Sequence, residues 1–167
     1  MQRRHALLLC LLGSVLLAGC GFQLRGTGPG VAVPDNWKSM YLVTSNPNSE
    51  FSREVVLRFA AHGVEWEQKP GDANYLVRLG PERFSQRNLS LNADARAAEF
   101  ELTMLANFSV QDRDGRQVLP ESTATVVKQM ENDPANVVGK AEEQRILKTE
   151  MRSELAQQIM RRIGFFA

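Results

Sequence analysis

The stretch FELTMLANFSV, residues 100–110, decides the fold of this 167-residue chain. Its even positions, from Phe100 to Val110, are all apolar, whereas its odd positions are polar except for Leu105. Successive side chains of a β-strand point to opposite faces of the sheet. The alternation therefore predicts a half-buried strand, in a sheet that has one face on the core and one face in water.

Two further strands are predicted next to this one. Asp112-Arg113-Asp114-Gly115 reads as a hairpin turn in which Gly115 adopts a positive φ. A strand rich in Thr and Val then runs from about residue 117 to residue 130. Upstream, about residues 74–91 read as a strand that is bent or bulged near Gly80-Pro81. The sequence therefore predicts three antiparallel strands in succession.

An amphipathic helix is predicted over Ser49–His62, with Ser49 or Asn48 as its cap and Gly63 at its end. Its apolar face would carry side chains at helical spacing, namely Phe51, Val55, Phe59 and His62. On this reading His62 is a packed residue near the negative end of the helix, and not a catalytic one.

A longer helix is predicted to open at Asp133-Pro134 and to end at Gly164. Its apolar stripe recurs every fourth residue and comprises Leu147, Met151, Leu155, Ile159 and Ile163. A coiled-coil seam is the alternative, but a heptad needs spacings that alternate between three and four. We therefore expect this stripe to pack on the sheet.

A strand over residues 38–44 and a short strand or extended turn over residues 64–68 complete the pattern. The predicted fold class is α+β, a two-layer sandwich with two helices packed on one face of a mostly antiparallel four-stranded sheet. The other face would be polar and open. Residues 37–167 would form this single domain.

The N-terminus resembles a bacterial lipoprotein signal sequence. Arg3 and Arg4 precede an apolar run that ends in Leu-Ala-Gly-Cys at positions 17–20. A membrane-spanning helix needs about 20 apolar residues, which this diluted run does not supply. The resemblance implies that residues 1–19 are a removed signal peptide, that Cys20 carries the lipid, and that residues 20–36 form a flexible tether. Plain signal cleavage is the alternative. Gly21 in place of an aspartate implies sorting to the outer membrane.

Composition excludes several classes of protein. Loss of Arg3 and Arg4 from the 20 basic side chains would leave 18 against 19 acidic ones, a formal charge of −1. This balance argues against a nucleic-acid binder. Cys20 would be the only remaining thiol, which excludes an internal disulfide and a zinc site built on cysteines. No catalytic motif is present, so we expect no enzyme, no cofactor and no metal site.

Basic residues are the candidate binding groups, because arginine forks and lysine ammonium groups suit phosphates. They lie along the strands and at the start of the last helix: Arg78, Arg83, Arg87, Arg96, Lys128 and Lys140. If several converge, they can hold a phosphorylated glycolipid headgroup. Scattered, solvated side chains are the equally open alternative.

The mature sequence resembles the LPS-assembly lipoprotein family LptE. Cys20 is followed by Gly-Phe-Gln-Leu-Arg-Gly at residues 21–26. The similar segments downstream are Ala98–Leu102, Asp114-Gly115, Asn132-Asp133-Pro134, Glu143-Gln144 and Lys148–Met151. The ordered set covers essentially the whole mature chain.

The resemblance implies an outer-membrane lipoprotein that plugs the lumen of the β-barrel LptD from its periplasmic side. It also implies binding of lipopolysaccharide, help in its insertion into the outer leaflet, and help in folding the barrel. Carried over to this sequence, the family's basic positions imply lipopolysaccharide-binding roles for Lys140 and Arg96. A general outer-membrane assembly or scaffolding lipoprotein is the alternative function, and a periplasmic enzyme is a third.

Overall fold

A computed structural model describes residues 34–93, 95–132 and 137–167, except for the side chains of residues 137 and 138. The predicted signal peptide, Cys20 and residues 21–33 of the predicted tether lie outside the described residues. So do Asp94 and the Asp133-Pro134 pair that was expected to open the last helix.

The described chain begins with a 3-10 turn over Asp35–Trp37 and then forms strands and helices in the predicted order. The strands are β1 (Ser39–Thr44), β2 (Glu65–Trp66), β3 (Tyr75–Leu79), β4 (Arg83–Leu91), β5 (Ala97–Asp112) and β6 (Gln117–Glu131). The helices are α1 (Glu50–Ala60) and α2 (Val137–Phe166).

β5 is the central strand, and its alternation is confirmed except at Ser109, an odd position that is buried. Its even positions from Phe100 to Val110 are all buried. One edge of β5 pairs with β4 from Ala97 to Leu105 and with β3 from Phe108 to Asp112, and the other edge pairs with β6, all antiparallel. The hairpin between β5 and β6 turns at Gly115, whose φ is +79° as predicted.

The sheet differs from the predicted four antiparallel strands, because it has six strands and is mixed. β1 pairs in parallel with both β2 and β3. The physical reason is the crossover through α1, since a helix between two strands returns the chain to the same end of the sheet. The single bent strand predicted over 74–91 is also two strands, because the chain breaks at Gly80-Pro81.

α1 begins as predicted at Ser49, whose hydroxyl accepts a hydrogen bond of 3.0 Å from the Ser52 N–H. Its buried apolar residues are Phe51, Val55 and Phe59. The prediction that His62 packs on the apolar face of this helix was wrong, because α1 ends at Ala60 and His62 is exposed beyond it. Its Nδ1 lies 2.9 Å from the Arg58 carbonyl oxygen.

α2 packs its predicted stripe on the core: Met151, Leu155, Ile159 and Ile163 are fully buried. They belong to the cluster of buried side chains that also holds α1 and the even face of β5. Both helices therefore cover the same face of the sheet. Gly164 does not end α2, which continues to Phe166. A glycine inside a helix costs only about 1 kcal/mol relative to alanine, so it need not stop one.

Candidate functional site

Lys140 lies in the first turns of α2, on the face that packs against the sheet. Its ammonium nitrogen donates a hydrogen bond of 2.5 Å to the Asn132 side-chain oxygen. The same nitrogen lies 4.5 Å from the centre of the Phe100 ring. The residue is half-buried. We call Lys140, Asn132, Phe100 and the neighbouring Arg96 the Lys140 site.

Asn132 fixes the direction in which Lys140 points. Its side-chain nitrogen donates to the Ala97 carbonyl at 2.6 Å, and its backbone N–H donates to the Ala98 carbonyl at 2.8 Å. The amide oxygen is thereby turned toward Lys140. Lys140 forms no ion pair with any carboxylate in the described part of the chain, so its charge is positioned but not neutralised there.

Arg96 lies at the same end of the sheet. Its backbone N–H donates to the Asn92 side-chain oxygen at 3.0 Å, and its carbonyl accepts from the Asn92 N–H at 2.8 Å. These bonds close a tight loop, in which Ala95 has a φ of +59°. The Arg96 side chain is exposed. Arg96 adjoins Ala97, which binds Asn132, so the structure brings both predicted residues to one edge of the fold.

Two of the other basic candidates are held in ion pairs. Arg87 donates two hydrogen bonds, of 2.7 and 3.0 Å, to the Glu101 carboxylate, and this contact lowers the pKa of Glu101. Lys128 is bonded to Glu154 and lies 3.8 Å from Glu150. The hydrogen bond to Glu154 is the main cause of the raised pKa of Lys128. Both cations are therefore structural.

Arg78 and Arg83 both lie on the sheet face that the helices leave open. They line a groove of about 490 Å³ at the break between β3 and β4. Polar residues of β5, Asn107 and Ser109, form part of its lining. We call this the open-face groove. Of the three arginines predicted along residues 74–91, Arg87 is the one that pairs elsewhere.

The arrangement is suited to binding anions. Among residues 34–93, 95–132 and 137–167, no group of three or more His, Cys, Asp or Glu side chains is placed to hold a metal ion. Within the same ranges, no helix is both long enough and apolar enough to cross a bilayer.

Sequence reasoning missed the groups that position the cations. Asn132 was interpreted only as part of the opening of the last helix, and Phe100 only as a core residue. No sequence signal shows that residues 32 apart in the chain, such as Phe100 and Asn132, meet around one ammonium group. Asn107 and Ser109 were likewise seen only as the wet positions of a strand.

Comparisons with known proteins agree with one another. A family model described as LptE, lipopolysaccharide-assembly, matches residues 37–163. An LPS-assembly lipoprotein LptE of Photorhabdus laumondii is 30% identical over 162 residues, which cover 96% of this chain and 86% of the relative. A protein of the same name from Pectobacterium atrosepticum is 30% identical over 164 residues, with the same coverage.

Solved structures share the fold. The rare lipoprotein B of Shewanella oneidensis superposes with a TM-score of 0.67 at 23% identity, covering 75% of this chain and 92% of that one. A lipoprotein B of Nitrosomonas europaea gives a TM-score of 0.72 at 20% identity, covering 87% of this chain and 92% of that one. At these identities the likeness concerns the fold alone.

Proposed function

This chain belongs to the LptE family of lipopolysaccharide-assembly proteins, and from that membership we propose that it is an outer-membrane lipoprotein that binds lipopolysaccharide and plugs the β-barrel LptD. In this role it helps to insert lipopolysaccharide into the outer leaflet and helps the barrel to fold. Cys20 carries the lipid anchor, and the protein acts from the periplasmic side, within the barrel lumen.

The observation that carries the lipopolysaccharide-binding role is the Lys140 site. A half-buried ammonium group is held by Asn132 and Phe100, with no carboxylate of the described chain to neutralise it. Phosphates carry the complementary charge, and hydrogen bonds between charged groups are roughly twice as strong as neutral ones. Arg96, exposed on the adjoining loop, adds a second cation at the same edge.

The open face of the sheet supports the plug role. Its residues on β5 are the half-buried Glu101, Thr103, Leu105 and Asn107 and the buried but polar Ser109. No helix of the described chain covers this face. Barrels of this kind have polar interiors, so a polar sheet face can lie against one.

Co-purification tests the plug role. The tagged full-length protein, extracted from membranes in mild detergent, should bring a large β-barrel with it in a fixed ratio. A Cys20→Ala variant tests the anchor, because it should lose membrane attachment. Recovery of the native lipoprotein alone would contradict the plug role. Depletion distinguishes a general assembly lipoprotein, since that protein's loss would deplete many barrels and not surface lipopolysaccharide alone.

A further inference from the structure

The open-face groove exists because the chain breaks between β3 and β4. The pairing of β3 with β5 stops at Leu79 and Phe108, and the pairing of β4 with β5 starts at Arg83 and Leu105. Between them, Gly80 alone reaches β5, through a hydrogen bond of 2.9 Å from its N–H to the Asn107 carbonyl. A Cβ on Gly80 would lie only 3.2 Å from that oxygen. This close approach favours a glycine where the groove forms.

Two arginines stand at the two ends of this groove. Arg78 lies opposite Ser109, and Arg83 lies opposite Leu105, on the same face of β5. Four residues of extended chain separate these positions by about 13 Å. Nε of Arg78 donates to Gln111 at 3.2 Å. The Arg83 guanidinium has no hydrogen bond or ion pair with the residues that the structure describes, and both side chains are exposed.

Asn107 lies between the two arginines and is held from both sides. Its side-chain nitrogen donates to Glu121 at 2.9 Å, and its side-chain oxygen accepts from the Thr123 hydroxyl at 3.0 Å. Glu121 also lines the groove, as do the apolar Val43 and Pro81. An amide held in place and a carboxylate can bind the hydroxyls of a sugar ring, and apolar lining residues can contact its apolar faces.

We infer that the open-face groove binds an oligosaccharide that carries anionic groups. The anions lie at Arg78 and Arg83, and the sugar hydroxyls lie at Asn107 and Glu121. The volume of about 490 Å³ is within the range of roughly 300–1,000 Å³ that small-ligand sites occupy. This inference rests on the proposed function, because the oligosaccharide is the saccharide part of a lipopolysaccharide. It adds a second subsite, distinct from the Lys140 site.

An acidic segment of a partner protein is the competing occupant, and the backbone disfavours it. An extended peptide gains most of its affinity by adding main-chain hydrogen bonds to a free strand edge. At this break the Asn107 carbonyl already accepts from Gly80. The groove therefore offers mainly side chains, and side chains suit a saccharide.

Calorimetric binding of deacylated lipopolysaccharide core oligosaccharide to the full-length lipoprotein tests the inference. The double variant Arg78→Ala/Arg83→Ala should bind it at least tenfold more weakly than the native protein. Arg87→Ala is the matched control, because Arg87 lies on the same sheet face but is held by Glu101. That variant should bind within about twofold of the native protein. The same measurement with phosphatase-treated oligosaccharide identifies the bound anion. Binding is lost if the anion is a phosphate, and it persists if the anion is a carboxylate.

Three results separate the possible failures. Equal oligosaccharide affinity in the native protein and the double variant overturns the groove assignment, and the proposed function stands if intact lipopolysaccharide is still bound. Loss of the co-purifying barrel at unchanged oligosaccharide affinity also overturns it, since the groove is then a protein interface. A native protein that binds neither the oligosaccharide nor intact lipopolysaccharide overturns the proposed lipid binding as well.

Discussion

Replacing Lys140 by methionine separates its charge from its packing. Methionine keeps an apolar stem over the Phe100 ring but loses the ammonium group that donates to Asn132. The variant also loses the proposed hydrogen bond from this ammonium group to a phosphate of lipopolysaccharide. A hydrogen bond to a charged group contributes about 1.5–3 kcal/mol. Because Lys140 is only half-buried, we take the lower end of this range. Every 1.4 kcal/mol is a factor of ten, so Lys140→Met should weaken lipopolysaccharide binding by about tenfold.

Lys148 provides a matched control on the same helix. Its ammonium nitrogen lies 4.2 Å from the centre of the Phe84 ring, so it repeats the stacking of Lys140 on Phe100. Among the described residues it has no hydrogen-bonded partner comparable to Asn132. Lys148→Met removes the same charge from the same helix, and it should change the affinity by no more than about twofold.

The assay is equilibrium binding of intact lipopolysaccharide to the full-length lipoprotein in detergent, at two salt concentrations. Salt screens exposed charges more than half-buried ones, so the difference between the two variants should persist at the higher concentration. Lys140→Arg should recover part of the affinity, because it restores the charge. Equal losses in Lys140→Met and Lys148→Met would refute the reasoning, since general attraction to basic residues would then explain the binding.

Three further predictions concern stability. Leu155→Ala, at a fully buried position, should lower the free energy of unfolding by about 3–5 kcal/mol in denaturant titrations. Ile146→Ala, at a position 45% exposed on the same helix, should lower it by less than about 1 kcal/mol. Similar losses in the two variants would contradict the core assignment. Gly115→Ala should lower the free energy of unfolding by about 1–2 kcal/mol, because alanine is strained at a φ of +79°. Nothing lies within 4 Å of the added Cβ, so the backbone strain is the whole effect. An unchanged unfolding midpoint would contradict this prediction. Arg87 lowers the pKa of Glu101, so the pair stabilises the fold above the unfolded pKa of about 4.3 and loses its effect as the pH falls through the lower folded value. The stability gap between the native protein and Arg87→Ala should therefore close under acid in pH-dependent unfolding, and a constant gap would refute the pairing.

The sequence could predict the features that depend on neighbouring residues. The alternation over residues 100–110 marks β5, because a strand's side-chain period is fixed by its backbone. The four-residue stripe from Met151 to Ile163 marks the buried face of α2 for the same kind of reason. Gly115 marks the hairpin, because a positive φ favours glycine.

The pairing of distant segments could not be predicted in this way. β2 has only two residues, so it gave no periodic signal, and its parallel pairing with β1 was missed. Gly80-Pro81 was interpreted as a bend, because the local sequence does not distinguish a bend from a break. Only the register on β5 shows that two residues there, Ala106 and Asn107, lack a partner strand on that edge.

The geometry of β5 predicts that the two proposed binding sites act independently. Phe100, under Lys140, and Asn107, in the groove, are seven residues apart, about 24 Å along the strand. One is at an even position and the other at an odd one, so they face opposite sides of the sheet. The free-energy changes caused by two substitutions this far apart, without shared partners, are additive to within about 0.3–0.5 kcal/mol. Lys140→Met should therefore weaken lipopolysaccharide binding by the same factor, within about twofold, in the native protein and in the Arg78→Ala/Arg83→Ala background. A larger departure in this double-mutant cycle would show that β5 couples the two sites.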